Sequence, residues 1–327
     1  MSYYPLALNA FKVGYDLSGA SQAAVGRALQ SLKPSLRHLR YEYDRHSRTS
    51  TVSLDYTGAL AAAYLLAYFP GNVIQSQMAF RFACVAEMAP APQRVGLFCS
   101  GLAPEAVALT ELLSATHRTS KCEGCFLKFS RASGQKMEEC PNCGLPIKID
   151  EELAKLDFLL FDHSPGWSQF CDAVMELGCR GMHNQHDTVA DFELFTGLTP
   201  KQEALVRSLD LAVFQNFDNE LGSKKESALR TVLRVGELLR PGSKLVLSDL
   251  HNARGTHEKL KAEMDRRSLG LTSISPEDGR KAWHLALPEP FLRENLLDGT
   301  DGLIPRVGKK HLVNFLVLDR YGLDENR

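Results

Sequence analysis

Leu239-Arg-Pro-Gly-Ser-Lys-Leu-Val-Leu-Ser-Asp249 is the stretch on which the fold turns. Pro241-Gly242 stops the apolar helical run Ser227–Leu239, and Ser243 opens a short strand, Lys244–Leu247, that runs out at an acid, Asp249. A helix that breaks at Pro-Gly and returns at once as a buried strand is half of an alternating strand–helix unit. Immediately upstream, Leu209-Asp-Leu-Ala-Val-Phe-Gln-Asn216 reads as the preceding strand.

Working outward, the same alternation recurs. Arg94-Val-Gly-Leu-Phe-Cys-Ser100 is an apolar strand that meets Gly101 and then a helix, Pro104–Ser114, with proline in its first turn. Leu156-Asp-Phe-Leu-Leu-Phe-Asp162 is another strand, followed by a helix over Trp167–Leu177. Helix Thr256–Arg267 follows Asp249, and Trp283–Leu287 and His311–Leu318 are the last strand candidates. Strands separated by helices predict an α/β fold, a doubly wound, Rossmann-like, mainly parallel sheet over residues 91–327. Residues 1–90 read as a helical N-terminal extension: Ser18–Leu39 carries apolar positions at helical spacing, Pro34 breaks or restarts it, and the apolar helix Thr57–Phe69 meets the stop signal Pro70-Gly71.

The third unit is an insertion over 116–150. Cys122, Cys125, Cys140 and Cys143 form C-x2-C-x14-C-x2-C. Two such knuckles converge four thiolates on one ion and predict a closed tetrahedral zinc ribbon, with iron as the alternative for a four-sulfur site. A closed site leaves no position for substrate, so the metal is expected to be structural. The other cysteines, Cys84, Cys99, Cys171 and Cys179, lie in apolar or helical surroundings without paired spacing and read as reduced thiols, the pattern of a cytoplasmic protein. The start of the chain lacks the basic-then-apolar pattern of a signal peptide, and the longest apolar run, Ala59–Phe69, is too short to span a bilayer.

The net charge of −1 is unevenly spread: residues 1–90 carry +3, residues 116–150 carry +2, and the remainder −6. Lys33–Arg48 holds five Lys/Arg with His38 and His46, interleaved with Tyr41 and Tyr43. Such a segment is either a solvated helix face or a contact surface for phosphates and stacked bases, which makes RNA or a ribonucleoprotein a candidate partner.

In an open parallel sheet, ligands bind beyond the carboxyl ends of the strands. Here those ends carry Ser100-Gly101, Asp162-His163, Gln215-Asn216 and Asp249. A strand feeding a glycine turn and a helix N-terminus suits close backbone approach to a nucleoside, and Asp162 can accept both ribose hydroxyls.

The order of these strand ends, with Asp210-Leu-Ala-Val-Phe-Gln-Asn216-Phe-Asp-Asn-Glu220-Leu and the segment Leu239–Asp249, resembles class I S-adenosylmethionine-dependent methyltransferases. The resemblance implies S-adenosylmethionine as cofactor. It places Ser100 and Gly101 along the methionine part, Asp162 on the ribose, Gln215 on the cofactor side and Asn216 beside the transferable methyl group. Asp187, after a third strand, would meet the adenine amine. Asn216 and Glu220 become the catalytic candidates, and His163 and His251 are open alternatives to Glu220 as general base. The chain departs from the family at the first turn: Phe98-Cys99-Ser100-Gly101-Leu102-Ala103-Pro104-Glu105 has one glycine where the family has Asp-x-Gly-x-Gly-x-Gly, and Cys99 replaces the carboxylate. Glu105 can stand in as a polar contact. A looser likeness, carried by Ala63–Pro70 and Asn216–Leu221, is to the methyltransferase-like family that accompanies mitochondrial small-ribosomal-subunit assembly.

The function expected is methyl transfer to a macromolecule, RNA before protein. Two alternatives stay open: a non-catalytic, metal-containing binding or assembly protein on a degenerate methyltransferase fold, and a dinucleotide-dependent oxidoreductase, since Asp162 would equally hold an NAD ribose.

Overall fold

A computed structural model describes residues 2–46, 54, 56–116, 119–122, 124–125, 128–130, 139–140, 142–145, 147–149, 155–162, 164–189, 191–218, 224–250, 253–275, 282–283, 286–297 and 311–321. Five helices come first: α1 (Tyr4–Gly14), α2 (Gln22–Ser31), α3 (Lys33–His46), α4 (Ala59–Ala67) and α5 (Phe69–Phe82). Strand β1 (Arg94–Phe98) and helix α6 (Pro104–Thr116) follow. The insertion forms a small antiparallel sheet of β2 (Thr119–Cys122), β3 (Lys128–Ser130) and β4 (Ile147–Ile149), in the order β3-β2-β4. The chain then alternates through β5 (Leu156–Phe161), α7 (Ser168–Gly178), β6 (His183–Val189), α8 (Pro200–Val206), β7 (Leu211–Gln215), α9 (Lys225–Leu238), β8 (Lys244–Leu250) and α10 (Arg254–Arg266). It ends with β9 (Leu271–Ile274), β10 (Ala282–Trp283), α11 (Pro290–Asn295) and β11 (His311–Asp319).

The main sheet runs β6-β5-β1-β7-β8-β11. The first five of these strands are parallel, and β11 lies antiparallel beside β8. β9 and β10 both pair with β11, at opposite ends of its length. From β1 the chain winds outward through β5 to β6, then crosses back to β7, so the strand order reverses between β1 and β7. The doubly wound sheet expected from the alternation is present. Departures come from short or polar edge strands: β9 was not foreseen, β6 runs on through Asp187, and the strand expected at 283–287 is a strand over Ala282–Trp283, with residues 286 and 287 outside it.

Each strand alternates sides with period two, and the two faces carry separate cores. Val95, Leu97, Phe158, Leu160, Leu211, Val213 and Val246 point to the face covered by α5, α6, α7 and the other N-terminal helices. Phe98, Leu159, Phe161, Ala212, Phe214, Leu245 and Leu247 point to the face covered by α8, α9 and α10. The N-terminal helices thus share one core with the sheet: α5 packs on α6 and on β8, and α1 on α7.

Phe98, Phe161 and Phe214 form a stacked row across β5, β1 and β7, with ring centroids 4.2 and 4.5 Å apart, and Phe192 meets both Phe98 and Phe161 edge-on. The register pairs Phe98 with Phe161 and with Phe214. Each such pair adds about 0.5–1.5 kcal/mol beyond its burial. The row fixes the level at which the three strands end, so the residues that follow emerge side by side.

The insertion leaves and rejoins the sheet at the opposite edge. The end of α6 lies at the amino edge, where Ser114 Oγ sits 2.9 Å from Met182 Sδ just ahead of β6, and β5 begins beside Gln93, whose carbonyl accepts from Asp157 N–H at 2.8 Å.

Candidate functional site

The turn after β1 is tightly wound. Cys99, Gly101 and Ala103 have φ of +55°, +53° and +51°, with Ser100 and Leu102 between them. Two non-glycine residues held in the left-handed region within one turn is an uncommon arrangement, and Cys99 and Ala103 spend their N–H groups on the Phe161 and Ser100 carbonyls at 2.8 and 2.9 Å. The turn is held by Asp162 at the end of β5: Oδ2 accepts from Gly101 N–H at 3.0 Å, and Oδ1 from Ser164 N–H at 2.9 Å. At Gly101 a Cβ would meet the Trp167 ring at 3.0 Å, so glycine is needed both for its φ and for the closeness of Trp167. Tyr56 stacks on Trp167 at 4.3 Å, and Tyr64 meets both edge-on. The backbone at Tyr56 lies directly over Gly166, where a Cβ would fall 1.7 Å from the Tyr56 carbonyl.

Two polar side chains, one in this turn and one in the helix it opens, are buried without a partner. Ser100 Oγ and Glu105 Oε2 make no hydrogen bond among the described residues, at 7% and 1% exposure. Burial pushes the Glu105 carboxyl up to about 8, and the neighbouring charge of Asp162 adds to the rise.

Beyond β7, Gln215 and Asn216 are gripped by α5. Gln215 Nε2 donates to the Asn72 carbonyl at 2.8 Å, and its Oε1 accepts from Ser76 Oγ at 2.9 Å. Asn216, at φ +57°, accepts on Oδ1 from Gln75 Nε2 at 2.9 Å and donates from Nδ2 to Asn72 Oδ1 at 3.2 Å. Gln75 Nε2 also lies 3.0 Å from Ser248 Oγ. Behind this network, Asp249 joins the ends of β7 and β8. It accepts from Asp218 N–H at 3.0 Å, and its other oxygen pairs with His257 Nε2 at 3.0 Å, both side chains being fully buried. Burial pushes the Asp249 carboxyl up, against the pull of His257. Asp218 is held in turn by Thr256 Oγ1 and by Lys225.

The structure therefore brings Ser100, Gly101 and Asp162 to one turn, and Gln215 and Asn216 to the adjacent strand end. Asp187 is not brought to them. It was expected in a loop after the third strand, but it lies within β6, exposed and level with Leu159, because the polar run His183–Val189 forms the sheet's edge. Glu220, His163 and His251 fall outside the described residues. Sequence reasoning missed Asn72, Gln75 and Ser76. Their spacing of three and four residues, in a mainly apolar helix, was the available signal of a polar stripe turned toward the sheet.

In the ribbon, the thiol groups of Cys125, Cys140 and Cys143 converge, all within 4.8 Å of one another, with Cys125 and Cys140 sulfurs 3.6 Å apart. Thiolates on one tetrahedral zinc, each about 2.3 Å from the ion, stand about 3.8 Å apart, so these donors fit. Cys122 ends β2, opposite Ile147, and its side chain lies outside those described.

The parallel sheet with reversal between β1 and β7, the antiparallel β11 inserted between β8 and β9, and helices on both faces complete a known arrangement. The fold is that of the class I methyltransferases. No protein-family model and no curated protein matches the chain. Among solved structures, it is similar to precorrin-6y C5,15-methyltransferase from Geobacter metallireducens, at 8% identity and a TM-score of 0.38 over 84% of this chain and 95% of that one. It is also similar to an O-methyltransferase family protein from Burkholderia thailandensis, at 10% identity and 0.40 over 88% and 71%. A third is the plantazolicin methyltransferase in complex with SAH, at 8% and 0.38 over 91% and 99%. With TM-scores below 0.5 these are likenesses only, and the methyltransferase fold rests on the strand order of the sheet itself. Among the described residues, no helix is long and apolar enough to cross a membrane.

Proposed function

We propose that this chain binds S-adenosylmethionine at the turn after β1 and transfers its methyl group to a macromolecule, RNA before protein. The observation that carries the reading is the pair of unpartnered buried groups, Ser100 Oγ in the turn after β1 and Glu105 Oε2 in the first turn of α6, beside the turn that Asp162 holds, at the crevice where the strand order reverses. The large majority of buried polar groups in native folds have partners. Two orphans at this crevice are groups awaiting a polar ligand. The cofactor supplies the methyl group when bound. Asp162 would accept the ribose hydroxyls, Ser100 would face the methionine end, and Asn216 would present its amide to the acceptor, its rotamer fixed by Gln75 and Asn72. Such fixing lets transfer proceed by positioning, without a strong base.

The preference for RNA rests on charge. Helix α3 presents Arg37, His38 and a 63% exposed Tyr41 to solvent, and the ribbon carries the second basic excess. A structural zinc held by Cys122, Cys125, Cys140 and Cys143 would make that ribbon rigid.

A second reading, a binding or assembly protein that keeps the fold without the chemistry, is favoured by one observation. Gln215 and Asn216 spend their side chains on α5, and Trp167 with Tyr56 covers Gly101. Calorimetry decides between them. S-adenosylhomocysteine should bind, and Asp162→Ala should weaken it by about 1.5–3 kcal/mol, the usual worth of hydrogen bonds to a charged group. Binding of NAD instead would favour an oxidoreductase, and binding of neither would favour the assembly protein.

A further inference from the structure

Strand β6 opens on a histidine pair that its spacing should keep apart. His183 and His186 are three residues apart, which in a regular strand sends two side chains to opposite faces. A bulge undoes this. His183 pairs with Leu156 and His186 with Phe158, while Asn184 is the extra residue opposite the Leu156–Asp157 step of β5. Both imidazoles therefore lie on the face of Leu156 and Phe158, the side covered by α7. A bulge re-aims side chains at the expense of ladder pairing, and this one brings no residue of β6 into the core. What it does bring about is a contact: His183 Nε2 and His186 Nδ1 face each other at 3.0 Å. The far nitrogen of His186, Nε2, lies 3.0 Å from Asp172 Oδ1 on α7. A carboxylate only accepts, so a neutral His186 carries its proton on Nε2 and turns a bare Nδ1 to His183, which donates from Nε2. Burial, and then the neighbouring His186, hold His183 below the usual histidine range; Lys155 adds to this and Asp157 opposes it. Its ring is thus neutral at pH 7, the form in which imidazole binds a metal.

We propose that His183 Nε2 and His186 Nδ1 together bind one divalent transition-metal ion of the kind that imidazole suits, zinc, nickel or copper, at the free edge of the sheet and apart from the cysteine ribbon. Two nitrogens held about 2.0–2.1 Å from one ion stand about 2.9 Å apart at a right angle and about 3.3–3.4 Å apart at the tetrahedral angle, and the pair at 3.0 Å falls in that span. A turn of the two rings aims both lone pairs at the ion. Asp172 is the carboxylate that commonly backs a metal-bound histidine, fixing its tautomer and raising its basicity. On binding, His183 gives up its Nε2 proton and takes one on Nδ1, so both rings stay neutral and no net proton is released. Water completes the coordination. The pair stands where the insertion rejoins the sheet: the Met182 carbonyl accepts from Leu156 N–H at 2.7 Å, and the Gly181 carbonyl from Lys155 Nζ at 2.9 Å. The ion would pin the start of β6 to α7 at that junction. This site lies at the opposite edge from the turn after β1 and does not rest on the methyltransferase reading.

The test is calorimetric titration of zinc into the full chain at neutral pH, after one equivalent of zinc has been supplied for the ribbon. The wild type should take up one further ion, and His183→Gln and His186→Gln should each bind it at least tenfold more weakly. Asp172→Ala should weaken it about tenfold, the lower end of what loss of a backing carboxylate costs. None of the three side chains is part of the buried core, so the variants should fold. A second measurement uses the wild type alone. Nitrogen NMR of the histidine rings should find His183 protonated on Nε2 in the free chain and on Nδ1 once zinc is added, with His186 protonated on Nε2 throughout. No further ion on the wild type, wild-type affinity in both histidine variants, or a His183 tautomer that zinc leaves unchanged would each overturn the site.

Discussion

Gln75 Nε2 lies 2.9 Å from Asn216 Oδ1, so a residue of the N-terminal helices directly sets the rotamer of the side chain at the end of β7. The same nitrogen reaches Ser248 Oγ, and Gln75 itself is 1% exposed. Gln75→Leu keeps the bulk and deletes the donor. It should cost about 2–4 kcal/mol, because the Ser248 hydroxyl and the Asn216 carbonyl oxygen are left buried without it. Urea unfolding measures this, and a change below about 0.5 kcal/mol would show that water replaces the amide without loss.

Glu105 should leave a signature in stability against pH. Its carboxyl is up at about 8 when folded and ordinary when unfolded, so between these values the folded chain holds a proton that the unfolded chain has lost. Stability should therefore fall as pH rises from about 4.5 to about 8, by roughly 5 kcal/mol in all, and level off above. Asp249 shifts in the same direction, so the difference between wild type and Glu105→Gln isolates the Glu105 part. Glu105→Gln should be the more stable of the two at pH 8 in denaturant titrations. Parallel curves from pH 5 to 8 would mean that Glu105 is ionised in the free protein.

Much of this organisation is legible in the sequence. The strands that begin at Arg94, Leu156 and Lys244 announce themselves as apolar runs stopped by Ser-Gly or an acid, because both of their faces are buried. Helix α5 did not. It starts at Phe69-Pro70-Gly71, which reads as the end of α4 and is also the beginning of the next helix. Its sheet-facing positions are Asn72, Gln75 and Ser76, polar where the pattern calls for apolar, since they meet strand ends rather than strand faces. Strand β6 was obscured for the opposite reason: an edge strand with no buried residue has no apolar face to show. The engagement of Gln215 and Asn216 by α5 is a contact between segments about 140 residues apart, and no local pattern encodes it.

One zinc per chain should be found by elemental analysis of protein purified without chelator. Cys140→Ser should release it and unfold the ribbon, since small ribbons fold on their metal. The ribbon strands pair chiefly with one another, so the unfolding midpoint of the sheet should stay within a few degrees of wild type. A metal-free wild type ends the zinc assignment.

Phosphate contacts should appear as salt dependence. If RNA is the acceptor, binding should weaken with salt with a slope of about −0.7 per contact on single strands. Reversing Lys33, Arg37 and Arg40 to Glu should flatten that slope by about two, three lost contacts at this slope, without touching S-adenosylhomocysteine affinity. Gel shifts with structured and unstructured RNA at low salt provide the measurement. No retention of either at micromolar protein would point to a protein or small-molecule acceptor.

The ribbon hangs by both ends from the edge where the strands begin, while Ser100, Asp162 and Asn216 lie where strands end. A change in the ribbon can reach the Asp162 turn along the chain only through the whole length of α6 or β5. The knuckles are free to lengthen, exchange surface residues or be replaced without retuning the turn. Any partner met by the ribbon and any ligand held in the crevice would therefore be free to diverge independently, as two separate properties of one sheet.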